Sequence, residues 1–175
     1  MKKAALAFAL CLGVIGSAMA QTAVTSERAD DATLAAKFSE THAAAERGDA
    51  VAQDNLGMMY RDGKGVARDY AQAITWFQKA ADQGNASAQS DLGMMYLSGL
   101  GVERDEAQAV VWFRKAADQG NADGQYRIGL AYALGKGGVA PDYDQAEAWI
   151  RKAAEQGHAG AREMVRKIEA SGSAK

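Results

Sequence analysis

The chain has 175 residues, 48% of them hydrophobic and 24% charged, with a single Pro, one Cys and two His. That apolar fraction argues against disorder, which combines few apolar residues with a large net charge. The formal net charge of -2 supplies no global basic field for nucleic acid, and the scarcity of His and Cys favours a binding module over an enzyme.

Residues 1–20 read as a secretory signal: Lys2 and Lys3, an uncharged stretch from Ala4, then Ala18-Met19-Ala20. Cleavage after Ala20 makes Gln21 the mature N-terminus and places the protein in the periplasm or outside the cell. A membrane anchor is the weaker reading, because Gly13, Gly16 and Ser17 interrupt a run short of the roughly 20 apolar residues of a span. A lipoprotein is weaker still, since Cys11 follows Leu10 where a small residue is wanted. The mature chain then has no cysteine and no disulfide, so packing must supply its stability.

Residues 21–32 read as a mobile N-terminal segment, and 33–48 as a capping helix with Glu40 facing outward. Three repeats follow, over 50–85, 86–121 and 122–158. Leu56-Gly57-Met58-Met59-Tyr60 returns as Leu92 to Tyr96 and as Ile128 to Tyr132, each after 36 residues. Trp76, Trp112 and Trp149 follow at steps of 36 and 37. A fixed period in this range marks a solenoid. Each repeat reads as two helices. In helix A, positions 52, 56, 57 and 60 form one apolar stripe; in helix B, Ala73, Trp76, Phe77, Ala80 and Ala81 do so. The intervening Gly63 and Gly99 suit a left-handed helix end. Asp69, Asp105 and Asp142 open helix B, each three residues before a Gln in the manner of a capping box. Asp49, Asn85, Asn121 and His158 cap helix A. A capping helix over 159–169, with Arg166 where the packing glycine stood, closes the array, and 170–175 form a tail.

The pattern A-x-x-x-L-G-x-x-Y, then G-x-G-V, then D-x-x-x-A-x-x-W-F-x-K-A-A-x-x-G resembles the Sel-one-like repeat (SLR) family over roughly residues 44 to 165. Its period and its longer glycine-bearing loop separate it from the related tetratricopeptide repeats, whose period is about 34. The resemblance implies an all-α fold, a right-handed α/α superhelix of helix-turn-helix repeats with period 36–37. It also implies that helices A line a concave side that binds proteins or peptides. Secreted members with a disulfide in each repeat differ from this chain, so nothing peculiar to them carries over.

Candidate chemistry competes poorly with packing. The three Trp recur on the apolar stripe of helix B, which favours core over sugar-stacking platforms. The Gly-x-Gly loops follow helices rather than strands, unlike phosphate-binding motifs. His42 and His158 lie far apart and without carboxylate pairs at ligand spacing, so no metal or other cofactor is expected, and His158 reads as a substitute cap. Some relatives resemble β-lactamases, but no serine here has Lys three residues later. The Asn85-Ala86-Ser87 sequon reads as incidental.

What varies between repeats is the face of helix A turned from the stripe. It reads Asp54, Asn55, Met58, Arg61 and Asp62 in the first repeat, and Ser90, Asp91, Met94, Leu97 and Ser98 in the second. In the third it reads Tyr126, Arg127, Leu130, Ala133 and Leu134. Either nothing constrains these positions, or they form a binding face; the expected exposure of Met58, Met94 and Leu130 in one row favours the second. The expected function is an exported, monomeric, non-catalytic module that binds a protein or peptide in this groove, without nucleic acid or membrane insertion. The alternatives are a cell-envelope hydrolase with an unidentified site and a self-associating structural protein.

Overall fold

In a computed structural model that describes residues 32–172, helix follows helix and no strand occurs among the described residues. The expected signal segment, residues 21–31 and residues 173–175 lie outside them. Helix α1 covers 32–46. The repeats supply α2 (Ala50–Asp62) with α3 (Tyr70–Asp82), α4 (Ala86–Ser98) with α5 (Glu106–Asp118), and α6 (Ala122–Leu134) with α7 (Tyr143–Glu155). Helix α8 (Ala159–Gly172) ends the array. It continues three residues beyond the expected boundary, so the first part of the expected tail is helix. Consecutive helices pack on one another along the chain, giving the right-handed α/α superhelix.

The helix ends follow local chemistry. Gly63, Gly99 and Gly135 take φ of 72°, 67° and 63°, the left-handed conformation that stops helix A and is open to glycine without steric cost. The carboxylate of Asp69 accepts from the Ala71 and Gln72 backbone N–H groups, Asp105 likewise from Ala107 and Gln108, and Asp142 from Gln145. The capping box is completed differently from expectation. The N-cap N–H groups of Asp69, Asp105 and Asp142 go to the carbonyls of Tyr60, Tyr96 and Tyr132, at 2.9–3.0 Å. The loop is thereby tied back to helix A. His158 caps α8 through Nδ1, which accepts from the Ala161 N–H at 3.0 Å.

Packing between helices depends on the glycine of helix A. A Cβ on Gly57 would stand 2.6 Å from the Phe77 ring, on Gly93 2.5 Å from Phe113, and on Gly129 2.7 Å from Ile150. Those approaches are closer than real side chains tolerate, so glycine is what lets helix B seat against helix A. The core does not belong to single repeats. Trp112 of α5 joins Phe77, Ala80 and Ala81 of α3 and Leu92 and Met95 of α4 in one buried cluster. Trp76 likewise reaches back to Ala45 of α1 and Leu56 of α2. A tryptophan at the middle of each helix B thus fastens its repeat to the one before. Trp149 does so only half-buried, against Phe113 and Ile128. Each indole carries the ammonium of the lysine three residues on, Lys79, Lys115 or Lys152, within 3.7–4.2 Å of its ring centroid.

Candidate protein-binding groove

The buried arc of helix A is wider than the stripe at 52, 56, 57 and 60. It includes Gln53, Asp54 and Met59 in α2, and Gln89, Ser90 and Met95 in α4. Tyr60 itself is half-buried. The reason is tertiary: each helix A is covered by helices B on one side and by its neighbouring helix A on the other. Asp54 and Ser90, expected on the open groove, are only 6% exposed. Tyr126 at the same register stacks on His158 with ring centroids 4.5 Å apart and packs against α8. These three positions are therefore seams between repeats and not groove surface.

The buried glutamines were not anticipated. Gln53, Gln89 and Gln125 each donate from Nε2 to a carbonyl of the preceding helix B or α1, at Ala45, Ala81 and Ala117. Each accepts at Oε1 from the C-capping Gln83, Gln119 or Gln156, at 2.6–2.7 Å. This satisfied polar ladder connects the repeats. Its signal was present in the sequence as two in-register glutamine columns.

The remaining positions stay at least partly accessible on the other side of helix A. Asn55 is exposed, and Met58, Met94 and Leu130 are half-buried rather than fully exposed, because Met58 and Met94 lean against the core. Leu97, Asp91, Arg61 and Arg127 are half-buried, and Leu134 is 63% exposed.

One structural position recurs three times along this side. Between α1 and α2 it is lined by polar and mixed groups, among them Lys37, Thr41, Asn55 and Asp62. Between α2 and α4 it holds Met95 and an ion pair. Arg61 donates from Nη1 to Asp91 Oδ1 and from Nε to Asp62 Oδ1, both at 2.8 Å. Its guanidinium lies over the Phe77 ring, 6.0 Å from the centroid. Between α4 and α6 the same position is open. Leu97 replaces Arg61, Arg127 replaces Asp91, and Ala131 replaces Met95. A cavity of about 170 Å³ results, lined chiefly by Leu97, Ala109, Phe113, Leu130 and Leu134. Arg127 stands at its edge, and its side chain makes no hydrogen bond or ion pair with any described residue.

The electrostatics differ accordingly. Burial pushes the Asp54 carboxyl up to about 6, with the Asp91 charge adding to the effect and Arg61 opposing it. Its Oδ1 is buried without a hydrogen-bond partner. Burial also raises Asp91, with Arg61 opposing. The hydrogen bond from Arg61 holds Asp62 below the usual carboxylate range. Among the described residues, no group of three or more His, Cys, Asp or Glu is placed to hold a metal, and no helix is long and apolar enough to cross a membrane.

Comparisons with known proteins fit this architecture. The Sel1 repeat family model matches residues 50–85, 86–121 and 122–158. No curated protein matches the chain. Among solved structures, a protective antigen present in uropathogenic Escherichia coli strains, displaying an SLR fold, is 45% identical with a TM-score of 0.70 over 75% of this chain. A Sel1 repeat protein from Oxalobacter formigenes is 36% identical with a TM-score of 0.72 over 79% of this chain. The chain spans 28% of the first and 56% of the second. The Helicobacter pylori cysteine rich protein B, 21% identical over 73% of this chain and 96% of its own length, shares the fold with a TM-score of 0.58. The chain belongs to the Sel1 repeat family, whose repeats are generally protein–protein interaction modules and typically non-enzymatic.

Proposed function

We propose that the chain is an exported, non-catalytic module that binds a protein or peptide along the concave side formed by α2, α4 and α6. The observation that carries this reading is the row of half-buried apolar side chains Met58, Met94 and Leu130, one per repeat, beside the cavity between α4 and α6. Partly exposed apolar rows mark association surfaces, and methionine adapts its shape to varied partners. Export rests on the features of residues 1–20 and monomeric behaviour on the polar outer faces of the terminal helices.

The test uses the chain immobilised and exposed to envelope extract. Met94→Glu places a charge in the middle of the apolar row, where a partner's apolar surface would have to desolvate it. Capture of its partner should fall about tenfold or more, roughly 1.4 kcal/mol. Circular dichroism must show both proteins helical. Equal capture by both would remove the groove as the working surface. Turnover of peptidoglycan or β-lactam substrates by purified protein would overturn the non-catalytic reading. Mass spectrometry of the exported protein should find Gln21 at its N-terminus, and a solution mass should correspond to one chain.

A further inference from the structure

The cavity between α4 and α6 differs from its two counterparts in a way that specifies a ligand. We infer that it receives an aliphatic side chain of a partner polypeptide, and that an adjacent Asp or Glu side chain of the same segment pairs with Arg127. This rests on the concave side being the binding surface.

The aliphatic half follows from the lining. Leu97, Ala109, Phe113, Leu130 and Leu134 offer almost no polar group, and Ala131 leaves the space that Met95 fills one repeat earlier. About 170 Å³ is room for one such side chain; an apolar cavity of about 150 Å³ takes up benzene. The acidic half follows from Arg127. A guanidinium stays charged at any working pH. Arg127 is half-buried and its side chain has no partner among the described residues, so its charge relies on exposure to solvent. A segment laid over the cavity takes that exposure away. The buried cation must then be paired, or the complex is penalised.

The molecule shows the complement at the neighbouring junction. There a guanidinium meets an aspartate side chain across adjacent A helices, Arg61 to Asp91, at 2.8 Å. Leu97 stands where α4 would have to present the equivalent anion to Arg127. The nearby carboxylate of Glu106 is engaged by Arg104 at 2.5 Å and faces Lys136 at 3.9 Å. A partner therefore supplies the anion, and a basic segment is repelled by Arg127 and Lys136 together.

The probe is a displayed library of short peptides with amidated C-termini, so that side chains are their only carboxylates, selected on the full chain. The enriched sequences should place Asp or Glu next to Leu, Ile, Val or Met. Arg127→Gln should weaken a selected peptide about tenfold and abolish the acidic preference while keeping the aliphatic one. Arg127→Glu should turn the preference basic. Leu97→Asp, which gives Arg127 an internal partner, should also weaken the acid-bearing peptide. Melting curves must show all three variants folded. Enriched peptides without acidic residues, sensitive to Met94→Glu but indifferent to Arg127, would overturn this pairing and leave the groove reading intact. Enrichment only with free C-termini would overturn the side-chain source. No enrichment of any peptide, with Met94→Glu also failing to alter partner capture, would overturn both.

Discussion

The junction between α2 and α4 and the junction between α4 and α6 have the same backbone plan and opposite contents. The first is filled by Met95 and by the Arg61–Asp91 pair lying against Phe77. The second presents Leu97, Ala131 and an unpaired Arg127 around a cavity. The contrast is carried chiefly by side chains, with Leu97, Arg127 and Ala131 standing where the first junction has Arg61, Asp91 and Met95. A repeat scaffold can thus close one junction and leave the next open without any change of fold.

The largest expected effect breaks the closed junction from beneath. Trp112 is 9% exposed and shares its cluster with both α3 and α4. Trp112→Ala should cost about 3–5 kcal/mol, while Trp149→Ala, at the half-buried counterpart under the open junction, should cost clearly less. Urea melts of the two variants check the order, and equal costs would contradict the contrast. Next, Arg61→Ala removes the cation between Asp91 and Asp62 and leaves the half-buried Asp91 carboxylate without its partner. It should cost about 1–3 kcal/mol. Arg127→Ala, with no internal partner to strand, should stay within about 0.5 kcal/mol.

Filling the open junction should reverse the pattern. Ala131→Met copies the first junction and should stabilise by about 0.5–2 kcal/mol, as cavity filling does, while abolishing uptake of an aliphatic side chain. Calorimetry with a selected peptide would read both effects in one sample.

The smallest effect concerns pH. The Asp54 carboxyl titrates at about 6 in the folded chain against 3.8 ordinarily, so the native state holds its proton to higher pH than the unfolded chain. Its contribution to stability therefore declines as pH rises from 3.8 to about 6, and the loss is complete above that. Asp91, raised by the same burial, and Arg61, which opposes, are the charges that act on it. Asp54→Asn should melt about 2–4 °C higher at neutral pH and no higher at pH near 4. A difference that persists unchanged at both would show that Asp54 is not the titrating group.

Much of the architecture was legible beforehand because its causes are local. The left-handed glycines, the Asp caps and the His158 cap each act within one helical turn, and a sequence displays such a turn whole. The tryptophan column was readable for the same reason, since helical spacing alone puts it on an apolar stripe. The groove was legible only in part. Projection on a single helix placed Asp54, Ser90 and Tyr126 outward, but the adjacent helix A covers them. The glutamine columns were visible as letters, yet their use as a ladder depends on hydrogen bonds that span repeats, such as Gln83 to Gln53.

The sequence by itself determined the period, the helix ends, the packing glycines and hence the family and the superhelix. Tertiary structure alone decided how wide the buried face of helix A is and which junction stands open. The physical reason is distance along the chain. A cap or a stripe is settled by residues a few positions apart, whereas Arg61 finds Asp91 thirty residues on, and Arg127 finds no anion because Leu97 lies opposite it.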